Sequence, residues 1–204
     1  MESDDSSERL KRLIQIGKAR GYILYDEIDE LLPPALEGDA QLDVVLTELA
    51  MNGIEILEVP GARYDTDLTE DDKVFAGKDL QKLIEELDNS SPIKMYLREV
   101  MTIPRQTREE EIELAKRISH GGEDAEDAMR RLIEANLYLV VAVARRHGEP
   151  GYGLLELLQE GNIGLMKAAE KYKHTREYRF STYAIWWIRR SIGQSKSETE
   201  RDST

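Results

Sequence analysis

Apolar residues return every three or four positions along most of this chain, the spacing that lines one face of an α-helix. Leu10, Leu13, Ile14 and Gly17 mark a first amphipathic stretch, and Tyr25 to Leu32 a second that ends at Pro33-Pro34. Proline stops it because the ring removes a backbone donor and disfavours helical geometry in the residue before it. Leu42, Val45, Leu46 and Leu49 mark a third stretch. Past Gly53 the pattern changes to the strand-like Ile54-Glu-Ile-Leu-Glu-Val59. Three short helices and one extended piece before Pro60-Gly61 predict a small domain over residues 1–60. An acidic connector, Asp65 to Asp72, and a helix from Lys73 to Leu87 fill residues 61–90.

The second half opens at Ser91-Pro92, an N-cap followed by the residue best suited to the first helical position. Thr107-Arg-Glu-Glu110 has the spacing of a capping box, and Ile112, Ala115 and Ile118 follow on one face. His120 to Asp124 reads as a turn and Met129 to Arg146 as the most apolar helix. Leu154 to Tyr172 follows as a further helix after the breaks at Gly151 and Gly153. A last helix begins near Ser181 and reaches at least Ile192, and the polar, Ser-rich residues 193–204 have the composition of a disordered tail. The fold class is all-α: a helical bundle over residues 91–192, preceded by a small, mostly helical acidic domain.

Charge divides the chain at the same place. The net charge is -13, yet residues 1–90 carry 23 acidic and 9 basic side chains while residues 91–204 are nearly balanced. Between Lys171 and Ile192 the bases Lys171, Lys173, Arg176, Arg179, Arg189 and Arg190 face Glu177 alone. Cysteine is absent, which excludes disulfides and thiolate metal sites. The polar first residues are not of signal-peptide type, so a soluble, cytoplasmic protein without membrane contact is expected. Asp65, Asp67 and Thr69 have calcium-loop spacing, but Glu70 and Ala76 stand where the loop needs glycine and glutamate. Glycine-rich phosphate loops, nucleophile elbows and metal-spaced histidine pairs are also missing, and His120, His147 and His174 are isolated. No catalytic residue, metal, cofactor or small-molecule substrate is expected, so the chain does not read as an enzyme.

Two stretches carry chemistry that core packing alone does not require. Tyr172 to Trp187 holds 6 of the 13 aromatic residues, both tryptophans included. On a helical wheel Ser181, Ile185, Ile188 and Ile192 share a core face, while Tyr183, Trp187 and Arg190 lie opposite and Trp186 on the flank. With an aliphatic stripe available for the core, the aromatic face is expected to be exposed. Exposed rings mixed with arginines suit single-stranded nucleic acid, since rings stack bases and cations track phosphates. The helix from Leu154 presents Glu156, Gln159, Glu160 and Lys167 opposite its buried stripe, with Ile163 among them. That arrangement fits either an ordinary solvated face with one stray isoleucine or a partner-docking face with an apolar centre.

SPIKMYLREV, TREEEIELAKRI, RRLIEANLYLVVAVARR, LLELLQEGNIGLMKAAEKY and YRFSTYAIWWIRRSI resemble, in order, segments of the bacterial primary sigma factors of the sigma-70 family. Residues 8–59, with GKARGYILYDEIDELLP, resemble more loosely the acidic autoinhibitory region of primary members. The resemblance implies a subunit that binds core RNA polymerase and melts the promoter minus-ten element by capturing flipped non-template bases. It implies that Glu156, Gln159, Glu160, Asn162 and Ile163 dock on the clamp coiled coil of the largest polymerase subunit. Tyr178, Arg179, Phe180, Thr182, Tyr183, Trp186, Trp187 and Arg190 would contact the flipped adenine and the upstream fork. Asn136 and Leu139 would line a pocket for a flipped thymine, and Met95, Tyr96 and Arg98 would lie near the discriminator DNA.

Two departures bear on function. The resemblance stops short of the family's further helical domains, which leaves open a rival reading as a regulator or decoy that occupies polymerase without supporting normal initiation. The residues after the tryptophans also differ: Arg190 and Gly193 stand where the family presents glutamine and threonine or asparagine to the upstream pair of the minus-ten element. Arginine favours phosphate or guanine over a thymine–adenine pair, and glycine offers no side chain and tends to end a helix. Substitutions at that pair are therefore expected to change promoter affinity by less than the roughly 1–3 kcal/mol of a good bidentate contact. Binding of minus-ten variants to the chain assembled with core polymerase measures this, and a full-sized thymine–adenine preference would contradict it.

Overall fold

The computed structural model describes residues 2–31, 39–57, 81–82, 84–89, 91–148 and 153–202. The expected connector Asp65–Asp72, most of the helix expected over Lys73–Leu87, and the breaks at Pro33-Pro34 and Gly151 lie outside them. The described residues are predominantly helical, and the chain divides into two compact units: residues 1–64 with 175–182, and residues 65–174 with 183–204.

In the first unit, α1 (Glu2–Arg20), α2 (Tyr25–Leu31) and α3 (Asp39–Met51) are the three helices that the periodicity predicts. The extended piece acquires a partner that the pattern did not reveal. Strand β1 (Tyr22–Leu24) pairs in parallel with β2 (Glu55–Leu57), Ile23 opposite Ile56. A parallel pair needs a crossover, and α2 with α3 supplies it. Gly21 and Gly53, both at positive φ, turn the chain immediately before each strand region. Gly17 is needed for closeness: a Cβ there would come within 2.6 Å of the Ile54 side chain. Leu13, Ile23, Ile28, Leu42, Leu46, Leu49 and Leu57 are buried around this small sheet.

The acidic start of α2 is secured by Glu27. Its carboxylate accepts from the Leu24 N–H at 2.9 Å, as in half of a capping box, and from Arg20 at 2.5 Å. Burial pushes the Glu27 carboxyl up, but the Leu24 and Arg20 hydrogen bonds outweigh it and hold the group below its usual value.

In the second unit the sequence signals are realised locally. Helix α4 (Pro92–Thr102) starts at the expected proline, and α5 (Arg108–His120) carries the complete Thr107–Glu110 capping box. Gly121 and Gly122, both at positive φ, reverse the chain into α6 (Glu123–Ala135), where Asp124 pairs with Arg117 of α5. The helix expected over Met129–Arg146 is two helices, because Asn136 turns its amide back onto the Leu132 carbonyl at 2.8 Å and interrupts the backbone ladder. Helix α7 (Leu137–Arg146) follows, buried along Leu139, Val140, Val141, Val143 and Ala144. Helices α8 (Leu154–Lys171) and α9 (Phe180–Asp202) complete the unit, although the first turn of α9 belongs to the first unit. Helix α9 does not stop at Gly193; it continues to Asp202, through residues whose composition suggested disorder.

Glu27→Ala is expected to destabilise the first unit by about 1 kcal/mol, the typical worth of a helix-terminal side-chain cap. Because the folded carboxyl titrates below its ordinary value, the contribution is full above the unfolded pKa and fades as pH falls through the folded one. Urea unfolding of wild type and variant at neutral and acidic pH tests both points, since the gap should close on acidification.

Candidate nucleic-acid and polymerase surfaces

The wheel placed the aliphatic residues of α9 correctly but misjudged the opposite side. Ser181, Ile185, Ile188 and Ile192 are buried, yet Tyr178, Phe180, Tyr183 and Trp186 are buried as well. Tyr183 and Phe180 have no exposed surface at all, and Trp187 is half-buried. Burial thus extends past the aliphatic stripe onto the aromatic side of α9, while Trp187, Arg189 and Arg190 stay half-buried. Periodicity shows which residues share a face, not whether a second layer covers it.

Within the first unit, the segment leading into α9 is held by the acidic domain. Arg176 pairs with Asp43 of α3 at 2.6 Å, and the Tyr178 hydroxyl donates to the same carboxylate. The Tyr25 hydroxyl donates to the Thr182 carbonyl at 3.0 Å. Arg179 and Thr182 are half-buried. Tyr178, Arg179, Phe180 and Thr182 thus share one short stretch with Arg176.

Within the second unit, the two tryptophans meet edge to face, their ring centroids 5.3 Å apart. Each also carries a cation: Lys171 lies 4.6 Å from the Trp187 centroid and Arg190 lies 5.0 Å from that of Trp186. Tyr183 meets Trp187 edge-on at 6.2 Å. Both indole N–H groups are shielded and without hydrogen-bond partners among the described residues. Arg190 is half-buried by its stacking, and Gly193 is exposed with nothing near its missing side chain.

On α8, Leu157, Leu158, Leu165 and Ala168 are buried as expected, and the glycines are explained by contact. A Cβ on Gly161 would meet Val140 at 2.7 Å, and one on Gly164 would meet the Trp187 carbonyl oxygen at 2.6 Å. Glu156, Gln159 and Ile163 are exposed, and Glu160 and Asn162 half-buried. Leu155 and Met166 are exposed too, each at 47%. With Gln159, Asn162 and Ile163 they fall within about 100° of the helix circumference. The sequence reading missed these two because each looks like an ordinary member of an apolar helix.

On α4, Met95 and Arg98 are exposed, Met95 at 64%. The Tyr96 hydroxyl meets Asn162 Oδ1 at 3.3 Å, and burial raises its pKa. A residue expected to touch DNA and one expected to touch polymerase are therefore joined. Asn136 and Leu139 are both buried, and the Asn136 side-chain amide donates to the Leu132 carbonyl.

Three sequence families match, in chain order: Sigma-70 factor, region 1.1 over residues 4–85; Sigma-70 factor, region 1.2 over 91–124; and Sigma-70 region 2 over 132–200. These define a sigma-type protein with regions 1.1, 1.2 and 2 in chain order. Among curated relatives, the RNA polymerase sigma factor SigA of a Bacillus species is 38% identical over 209 residues. The same-named proteins of Clostridium acetobutylicum and Listeria monocytogenes are 36% and 37% identical. These alignments take in 96–98% of this chain and 50–54% of each relative, so the chain spans about half their length. The chain belongs to the sigma-70 family. Among the described residues no helix is long and apolar enough to cross a membrane.

Gly164→Ala is expected to destabilise the second unit by about 1–3 kcal/mol, because the added methyl meets backbone atoms of α9 that cannot step aside. The steric term should exceed the roughly 1 kcal/mol gain in helix propensity. Gly193→Ala, with open space around it, should gain from propensity alone. Thermal unfolding followed by tryptophan fluorescence compares the two; a stabilised Gly164→Ala would show that α8 and α9 do not pack so closely.

Proposed function

We propose that this chain acts in transcription initiation as the part of a sigma factor that joins core RNA polymerase and holds the separated minus-ten strand. The observation that carries the reading is the pairing, on adjacent helices of one unit, of two unlike surfaces. The outer face of α8 is an exposed apolar row, Leu155, Ile163 and Met166, set among Gln159 and Asn162. Such a face fits protein docking, and the relatives are named as sigma factors of RNA polymerase. The start of α9 holds rings clasped by Lys171 and Arg190, the combination that stacks bases and neutralises phosphates. Met95 and Arg98 on α4 extend this reading toward downstream DNA.

The acidic first unit fits a restraining role. Asp43 occupies Arg176 and Tyr178, and Tyr25 occupies Thr182, so the stretch assigned to the minus-ten strand is engaged before DNA arrives. In this reading, nucleic acid competes with the Asp43 carboxylate for the same cation.

Three substitutions test the parts separately. Ile163→Asp should weaken assembly with core polymerase at least tenfold, since it buries a charge at the centre of the docking row. Trp187→Ala should leave assembly intact but lose about 1–3 kcal/mol of single-stranded minus-ten binding by the assembled protein. Asp43→Asn should raise single-strand affinity of the free chain by roughly tenfold, the worth of one charge-assisted bond. Unchanged core affinity for Ile163→Asp, or an equal loss on duplex and single strand for Trp187→Ala, would remove the corresponding role. An Asp43→Asn chain that binds DNA no better than wild type would remove the restraint.

A further inference from the structure

The acidic domain is not acidic throughout. Residues 9–20, the larger part of α1, carry five bases and no acid: Arg9, Lys11, Arg12, Lys18 and Arg20. Residues 21–60 carry ten acids and no base. Every cation of residues 1–60 therefore stands on one helix, and the rest of the domain faces it with a single sign of charge.

Ordinary helix chemistry accounts for part of this. Cations in the last turn oppose the negative end of the helix dipole, which covers Lys18 and Arg20. Arg20 also pairs with Glu27 at 2.5 Å and lies over the Tyr22 ring, 5.6 Å from its centroid. Lys11 and Arg12 stand about two turns earlier, where the dipole effect has faded. Lys11, Arg12 and Lys18 take part in no ion pair among the described residues. All three are exposed, while Leu13 and Gly17 on the opposite side of α1 are buried. Around the helix Lys11 and Lys18 fall within about 20° of each other, with Arg12 about 100° further round. Along the axis the two lysines are about 10 Å apart.

What this face lacks narrows its partner. Among the described residues, none of the exposed large apolar side chains lies on α1. A protein partner needs such an anchor at the centre of the contact. Residues 8–20 also contain no aromatic ring on which an unpaired base could stack. A row of cations without rings or apolar anchors suits a row of phosphates, and a duplex offers phosphates while keeping its bases stacked.

We infer that the outer face of α1, with Lys11, Arg12 and Lys18, holds the phosphate backbone of duplex DNA without regard to sequence. The acids of residues 21–60 repel the same duplex, so the domain approaches DNA by α1 alone. This surface goes beyond the restraining and strand-holding roles proposed above, because it involves neither Asp43 nor the tryptophans.

The test measures binding of the full chain to a short mixed-sequence duplex by fluorescence anisotropy, between about 50 and 200 mM salt, where each phosphate contact contributes about 0.9 to the slope of log affinity against log salt. Lys11→Gln with Lys18→Gln should make that slope shallower by about 1.8. Lys11→Arg with Lys18→Arg should restore it, since phosphate contact needs the charge and not the ammonium itself. The exposed pair Lys82→Gln with Lys116→Gln removes the same net charge away from α1 and should leave the slope where it was. Circular dichroism should be the same for all three pairs. Equal changes from the α1 pair and the control pair would overturn the proposal, because net charge alone would then explain both. A slope insensitive to the α1 pair, or no binding of duplex by the wild-type chain, would overturn it too. So would polyglutamate that binds with the same dependence on Lys11 and Lys18 and as tightly as duplex, since the partner would then be an acidic protein surface.

Discussion

The close approach of α8 to α9 is the constraint from which the second unit's surfaces follow. At Gly164 the helices meet backbone to backbone, with no room for a Cβ against Trp187 and Ile188, and at Gly161 the same helix takes in Val140 of α7. Glycine in a helix interior costs about 1 kcal/mol of propensity each time. Here the cost is offset by packing that only glycine permits. The contact fixes two things at once: it presents the far side of α8, with Ile163 and Met166, to solvent, and it brings Lys171 at the end of α8 onto the Trp187 ring. The candidate docking face and the candidate base-holding rings are two consequences of one interface.

The rings themselves are less available than their chemistry suggests. Trp186 and Trp187 are packed against each other, and each is covered by a cation from its own chain. Preorganisation of this kind lowers the entropy lost on binding, because the side chains are ordered beforehand. On the proposed reading, a base would have to share or displace a cation already in place. The same theme recurs in the first unit, where Asp43 neutralises Arg176. A net charge of -13 does not make this chain repel nucleic acid uniformly. The acid is concentrated in residues 1–90, and within the first unit one carboxylate, Asp43, is set against one base, Arg176.

Much of the fold was legible because it is local. Ser91-Pro92, Thr107 with Glu110, and the apolar repeats along α7 and α8 act over one or two turns, so their spacing along the chain is their spacing in space. The parallel pairing of Tyr22–Leu24 with Glu55–Leu57 was not legible, since three residues give no period and the partner lies 33 positions away. The break at Asn136 was hidden inside an unbroken apolar run, because its cause is one side chain bonding back to Leu132. Beyond Gly193 the composition pointed to disorder, while the helix already formed by Phe180–Ile192 carries on to Asp202: propagation costs much less than nucleation.

For the candidate sites the division is similar. The sequence by itself determined which residue types stand together: the aromatic and basic stretch from Tyr172 to Arg190, Ile163 among polar neighbours, and the family motifs that later matched three sigma-70 regions. It determined them because they are contiguous or lie one helical turn apart. Only the tertiary structure decided which of them meet water. It buried Tyr183, Phe180 and Asn136, exposed Leu155 and Met166, and joined Tyr96 to Asn162 and Arg105 to Tyr138 across gaps of dozens of residues. Exposure and pairing depend on what packs over a face, and that is set by distant parts of the chain whose approach no local period records.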